Sequence, residues 1–149
     1  MENGRNQRKT RNTGIAGGNG WGNQLNQLKS PSSIYISDTD NHRIMKWERD
    51  AKEGVVAAAG NEAGSSIEQL NEPRGVIVDD YGQIYVADSL NNRIMRWNEG
   101  MKEGEVVLDE NAGEPTALRF DSDGNLYAAD EEKNCTRKFD LIVQWKFFF

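Results

Sequence analysis

Two carboxylate and arginine pairs share one spacing in this sequence, Asp38 with Arg43 and Asp88 with Arg93. Residues held in that way can grip a polar ligand, or they can bind each other through charge-assisted hydrogen bonds. The pairs recur with their surroundings, since Asn41-His42-Arg43 returns as Asn91-Asn92-Arg93 fifty residues later. A catalytic group is needed once in a site, whereas a scaffold group is needed once in every repeat, so the expected role is a repeated, structural turn. Asp121-Ser122-Asp123-Gly124-Asn125 resembles the start of a calcium loop. Its further alternating ligands are missing and Glu132 fits the twelfth position by count alone, so a hairpin turn is expected there. His42 is the single histidine and Cys135 the single cysteine, which excludes an internal disulfide and a Cys/His zinc cluster. No nucleophile elbow and no second histidine are available for acyl-transfer chemistry. Cys135 reads as a small strand residue, and Asn134-Cys135-Thr136 fits a glycosylation sequon that matters only in a secreted protein. No catalytic residue, metal or cofactor is expected.

The elements that must position these residues are short strands. Apolar residues make up 36% of the 149, with 15 glycines, which suits many strands joined by polar turns better than packed helices. The length allows one domain with a sizeable core. Net charge is −6, but Arg5, Arg8, Lys9 and Arg11 against Glu2 give the first twelve residues +3, leaving −9 on the remainder. An acidic body repels phosphate backbones, and the basic leader reads as a solvated, disordered end. No run of about 18–20 apolar residues and no signal-type h-region appears, so no membrane partner is expected.

Pro31, Pro73 and Pro115 are spaced by 42 and again by 42. Around the second proline, Ala58 to Pro73 aligns without a gap on Ala16 to Pro31, and Pro73 to Asp88 aligns on Pro115 to Asp130. A 42-residue unit is the reading, and each unit has the pattern of a four-stranded antiparallel meander. Strands are expected near 75–79, 83–87, 93–97 and 104–108, with turns between them. Trp47 and Trp97 fall at one position of successive third strands and Phe139 follows in the last copy, a column expected to pack between neighbouring repeats. Trp21 lies in a Gly/Asn-rich connection and is expected to be exposed.

The segments "IYISDTDNHRIMKW", "IYVADSLNNRIMRW" and "EPRGVIVDDYGQ" resemble NHL repeats, a family named for an Asn-His-Leu core. The resemblance covers about residues 13 to 140. It implies an all-β fold, a β-propeller fragment of four-stranded antiparallel blades, in a family whose propellers commonly have six. The residues that carry it, all expected to be structural, are Asp38, Asn41, His42, Arg43, Trp47, Pro73, Gly75, Asp88, Asn91, Arg93, Trp97, Pro115 and Asp130. The third copy departs from the pattern, because Lys133-Asn134-Cys135 puts Cys135 where the others have arginine.

The first copy is short. Ile34 lies three positions after Pro31 while Ile84 lies eleven after Pro73, so a strand and turn equivalent to "VIVDDYGQ" are missing. Fifty is then read as 42 plus those eight. Thr13 to Gly17 align with Val55 to Ala59 as the fourth strand of a preceding blade. The expected organisation is a leader at 1–12, repeats at 13–140 and an apolar tail at 141–149 foreign to the fold. One complete blade and two incomplete ones cannot close a ring, so the first and last sheets are both expected to expose faces made to be covered, with self-association as the consequence. The function that follows is a non-catalytic binding module for a protein, peptide or glycan, with protein or peptide as the leading partner class. The alternatives implied by the resemblance are an RNA-binding module of ubiquitin-ligase-type regulators and a metal-dependent lyase. The acidic body argues against the first, and the lone His42 against the second.

Overall fold

The computed structural model describes residues 33–60, 62–109 and 112–141, all within the second of two compact units, Ser33–Phe149. The leader, the strand expected at 13–17, Trp21 and residues 142–149 lie outside the described residues. Ten strands form three sheets in chain order. β1 (Ser33–Asp38), β2 (Arg43–Glu48) and β3 (Val55–Ala59) make the first, ordered β1-β2-β3. β4 (Pro73–Val78), β5 (Ile84–Asp88), β6 (Arg93–Trp97) and β7 (Glu105–Leu108) make the second, the one complete four-stranded meander among the described residues. β8 (Pro115–Phe120), β9 (Leu126–Asp130) and β10 (Cys135–Phe139) make the third. Every pairing is antiparallel, and the helical elements that lie wholly within the described residues are two three-residue 3-10 turns, Thr39–Asn41 and Ser89–Asn91. The chain is all-β, and its sheets are blades of a partial propeller.

The strands correct the 42-residue unit. β1, β2 and β3 begin fifty residues before β5, β6 and β7 respectively, apart from an offset of one at β1, whereas β5 and β6 begin 42 before β9 and β10. The connection from β3 to β4 runs over 60–72, and the one from β7 to β8 only over 109–114. The complete unit with a long connection is therefore fifty residues. The first proline interval is shorter because no counterpart of β4 and its turn precedes β1 among the described residues, and the second because the connection is shorter. Their equality is a coincidence of two different deletions.

The sheets stack through their faces. Ile44, Ala57 and Ala58 of the first sheet close over Ile84, Val86, Met95 and Trp97 of the second, with Leu70 from the long connection between them. Ile94 of the second sheet meets Leu126 and Ala128 of the third, with Ala112 from the short connection at the place of Leu70. Each large aliphatic or aromatic side chain so enclosed contributes about 1.5–3 kcal/mol. Trp97 is wholly buried and would be struck by a Cβ at Gly104, 2.5 Å from its ring, as Trp47 would by one at Gly54 at 2.7 Å. Glycine at both loop ends is the space into which the indole folds. Gly75 serves a second close approach, since a Cβ there would stand 2.9 Å from the Cα of Ala117, where β4 runs beside β8.

The outer faces of the first and third sheets differ in polarity among the described residues. On the first sheet, Ile34 and Ile36 stand 62% and 46% exposed, beside Met45 and Trp47. They occupy the places of Ile84, Val86, Met95 and Trp97, which the second sheet buries. On the third sheet two outward positions that are apolar in the second sheet are polar. Arg119 stands where the second sheet has Ile77, and Thr136 where it has Ile94; both are exposed. The outer face of an end repeat is favoured when polar, and among the described residues the third sheet's outer face carries Arg119 and Thr136 where the first sheet's carries Ile34 and Ile36.

Candidate functional site

The recurring residues gather at the turn between the second and third strands of each sheet. In the second sheet the chain leaves β5 at Asp88, makes the 3-10 turn and enters β6 through Asn92, whose φ of 53° is left-handed. His42 and Asn134 take the same conformation at φ 52° and 50°. Asparagine and histidine are among the side chains enriched in that region, which gives the middle residue of each triplet its local reason.

Asp88, fully buried, accepts from three donors. Its Oδ1 takes the backbone N–H of Asn71 at 2.6 Å, and its Oδ2 takes Asn91 Nδ2 at 2.8 Å and Arg93 Nε at 2.6 Å. The rest of the Arg93 guanidinium donates to the carbonyls of Ser65 (2.7 Å), Ser66 (2.9 Å) and Gln69 (3.0 Å). Asn91 Nδ2 also reaches the Gly64 carbonyl at 2.8 Å. The long connection is thus wrapped around one arginine, and its carbonyls, which have no strand to pair with, are satisfied by it.

The first sheet repeats the core of this arrangement in a wetter setting. Arg43 Nε donates to Asp38 Oδ2 at 2.8 Å and Asn41 Nδ2 to Oδ1 at 2.9 Å, with side chains 34% and 28% exposed for arginine and aspartate. The Asn41 amide and the Arg43 guanidinium hold the Asp38 carboxyl below the ordinary aspartate range. His42 Nδ1 accepts the backbone N–H of Glu72 at 3.1 Å, tying this turn to the entry of the second sheet.

The third sheet shows what happens without the arginine. Cys135 pairs with Asp130 in the register in which Arg93 pairs with Asp88. Arg137, two residues on and so on the same face of β10, brings its Nη2 to 2.9 Å from Asp130 Oδ2. The oxygen accepts no hydrogen bond among the described residues despite that approach, so the contact is an ion pair by distance and not by donor geometry. Oδ1 takes the backbone N–H groups of Lys133 and Glu114 at 3.1 and 3.3 Å. Burial works to raise the Asp130 pKa; these N–H groups and the charges of Arg137 and Lys133 outweigh it, and the carboxyl lies low. Loss of the arginine accompanies loss of the long connection that such an arginine would hold.

Two contacts were not read from the sequence. Thr39 Oγ1 donates to the Pro73 carbonyl at 2.9 Å, and Ser89 Oγ to the Pro115 carbonyl at 2.5 Å, each from the first position of a 3-10 turn to the first residue of the next sheet. Pro73 and Pro115 are both buried where their strands begin. The signal was present as a hydroxyl directly after "SD" or "AD" in the two copies, and it gives way to Glu131 in the third. Asp79 and Asp121 close the first hairpins. The Asp121 Oδ1 takes the N–H groups of Asp123 and Asn125 at 3.0 and 2.9 Å, which makes the calcium-like segment a turn held by its own aspartate. Among the described residues no three His, Cys, Asp or Glu side chains gather as they would around a metal, and no helix is long and apolar enough to cross a membrane.

Open hollows lie at both ends of the stack. One of about 400 Å³ is bounded by Ile36, Met45 and Trp47 with the Asp38–Asn41 turn, and one of about 450 Å³ by Thr116, Asp130, Glu131 and Cys135 among others. The first lies on the apolar face of the first sheet, where Ile36 is exposed, Trp47 half-buried and Met45 buried; the second lies on the more polar face of the third.

Successive antiparallel meanders, stacked face to face and joined by a buried proline, define the class as β-propeller blades. Within it, residues 70–96 match the family model for the NHL repeat, from the buried Leu70 through β4, β5 and most of β6. The chain carries an NHL repeat, and that match falls on the complete blade. Among solved structures, a Bacteroides thetaiotaomicron structural genomics protein of unknown function aligns with a TM-score of 0.60 at 18% identity, over 72% of this chain. This chain spans 32% of that structure's length. A fucose lectin from Kordia zhangzhouensis, in complex with methyl-fucoside, aligns with a TM-score of 0.36 at 15% identity, over 71% of this chain and 80% of its own. No curated protein matches the sequence.

Proposed function

We propose that this chain is a non-catalytic binding module whose loops meet a protein or peptide. In this reading Asp38, Asn41, Arg43, Asp88, Asn91, Arg93 and Asp130 serve the scaffold. The observation that carries the reading is the contrast between these committed groups and the far end of the complete blade. There the β4–β5 and β6–β7 loops lie side by side, linked by Gln83 Nε2 donating to Asn98 Oδ1 at 3.1 Å. Their tips hold Tyr81 and Met101, 79% and 58% exposed. Aromatic and methionine side chains are enriched at protein interfaces, and Asp80, Glu99 and Glu103 stand exposed around them. Such a surface suits a basic segment with an apolar anchor.

An array of basic, neutral and acidic peptides, probed with the chain and with a Tyr81→Ser/Met101→Ser variant, tests this. Retention of basic peptides, lost in the variant, is the expected result. Retention of RNA at low salt in a gel shift, or of glycans with no peptide bound, would replace the reading with another partner class.

A further inference from the structure

We propose that a basic segment bound at the loop end seats one aliphatic side chain, of valine or leucine size, in a hollow behind Met101; the proposal rests on the peptide-binding reading above and names its anchor site. The hollow has a volume of about 170 Å³ and lies between β3 and the β6–β7 loop, bounded by Val56, Ala57 and Ala58 on one side and by Gly100, Met101 and Lys102 on the other. Met101 therefore belongs both to the exposed loop tip and to the wall of the hollow. The two are one continuous surface.

The repeat explains why space is left there. Ala57 and Ala58 stand fifty residues before Val107 and Leu108, and both pairs pack from the last strand of one sheet against the next sheet. Val107 and Leu108 bring branched side chains to the contact between the second and third sheets. The alanines bring methyl groups to the contact between the first and second, which leaves it short by about the bulk of one leucine side chain. The floor of the hollow is buried, at Ala57 and Ala58, while Val56, Gly100, Met101 and Lys102 around it are exposed. An apolar floor beneath an open rim gains from an aliphatic side chain laid on it. The charges at the rim fit a basic flank on either side of that anchor. Lys102 is paired with Glu68, Nζ to Oε2 at 3.1 Å, and the residue after it is the exposed Glu103. An incoming cation thus meets a lysine already neutralised and an acid beside it.

The test uses basic peptides that differ only at one apolar position, carrying leucine, valine, alanine or tryptophan there, titrated against the native chain by fluorescence anisotropy. Leucine and valine should bind about tenfold or more tighter than alanine. Tryptophan should bind no tighter than leucine, because overfilling a packed site carries its own cost. In Ala57→Val/Ala58→Leu, which writes the second sheet's residues into the first, the preference for leucine over alanine should disappear. Circular dichroism establishes that this variant folds. Should it not, Val56→Ser, at an exposed position on the rim, takes its place and should narrow the same preference by about threefold or more. A native chain that binds these peptides without regard to the apolar residue overturns the proposal, as does a preference that survives the filled hollow or Val56→Ser; in either case the loop-end reading stands. A native chain that binds none of them overturns both.

Discussion

Arg93 and Arg43 occupy one position in two copies, and their surroundings set different costs for losing them. Arg93 pairs with a fully buried Asp88 and closes three connection carbonyls, whereas Arg43 pairs with an Asp38 that water reaches. Removing one member of a buried pair leaves the other charged and unpaired, at about 3–5 kcal/mol, while an exposed pair is worth about 0–1 kcal/mol. Arg93→Ala should therefore lower the denaturant midpoint far more than Arg43→Ala, and equal shifts would show that the connection does not depend on the guanidinium. The Asp–Arg spacing was legible because it recurred. The three carbonyls were not, because backbone acceptors carry no residue-type signature. Acid should act at the same turns. The Asp38 carboxyl is held low by Asn41 and Arg43, so the folded state binds fewer protons than the unfolded chain near that pH. Its stabilisation is present above the ordinary aspartate value and disappears as pH falls through the lowered one. The midpoint difference between native protein and Asp38→Asn should thus be constant near neutrality and shrink below about pH 4. A difference that persists unchanged into acid would mean that the carboxylate charge contributes nothing there.

At the scale of strands and connections, periodicity located the complete blade, because its β-branched runs and glycine turns agree with one another along the whole unit. It misjudged the unit length, since two deletions of equal size at different places gave the prolines a regular spacing. Only the pairing register separates them, with Ile34 opposite Trp47 as Ile84 is opposite Trp97. Restoring the first deletion is the direct test of the broken-blade reading. Inserting Val-Ile-Val-Asp-Asp-Tyr-Gly-Gln between Ser33 and Ile34 supplies a strand to the edge of β1 that pairs with none among the described residues, as β4 is supplied to β5. The new valines at the places of Val76 and Val78 would contribute up to about 1.5–3 kcal/mol each if fully buried. Ordering each added residue costs about 1–2 kcal/mol in backbone entropy, so the net gain is modest and depends on contact with β4. A raised denaturant midpoint is expected; an unchanged or lowered one would mean that the first sheet is adapted to three strands.

At the scale of the three sheets together, the decisive feature is that, among the described residues, the second sheet belongs to both interfaces while the other two belong to one each. In a stack whose contacts are between neighbours, stability is a sum of sheet and interface terms, and the ends open before the middle. Ile84, Val86, Ile94, Met95 and Trp97 of the second sheet have no exposed surface, whereas β10 carries exposed residues at Cys135, Thr136 and Lys138, and β1 at Ile34 and Ile36. The capped end was hidden from sequence reading because Arg119 and Thr136 are ordinary strand residues until it is known which neighbour they lack. Native-state hydrogen exchange should find the slowest amides in β5 and β6, and the fastest strand amides in β1 and β10. Trp97→Ala, which costs about 3–5 kcal/mol for a large core truncation, should reduce protection in β2 as well as β6, because Ile44 packs in the same cluster. It should reduce protection in β9 less, because Leu126 belongs to the other interface and feels the change only through the shared sheet. Equal loss in β2 and β9 would show that the three sheets unfold as one cooperative unit, and the neighbour-by-neighbour account of this stack would then be wrong.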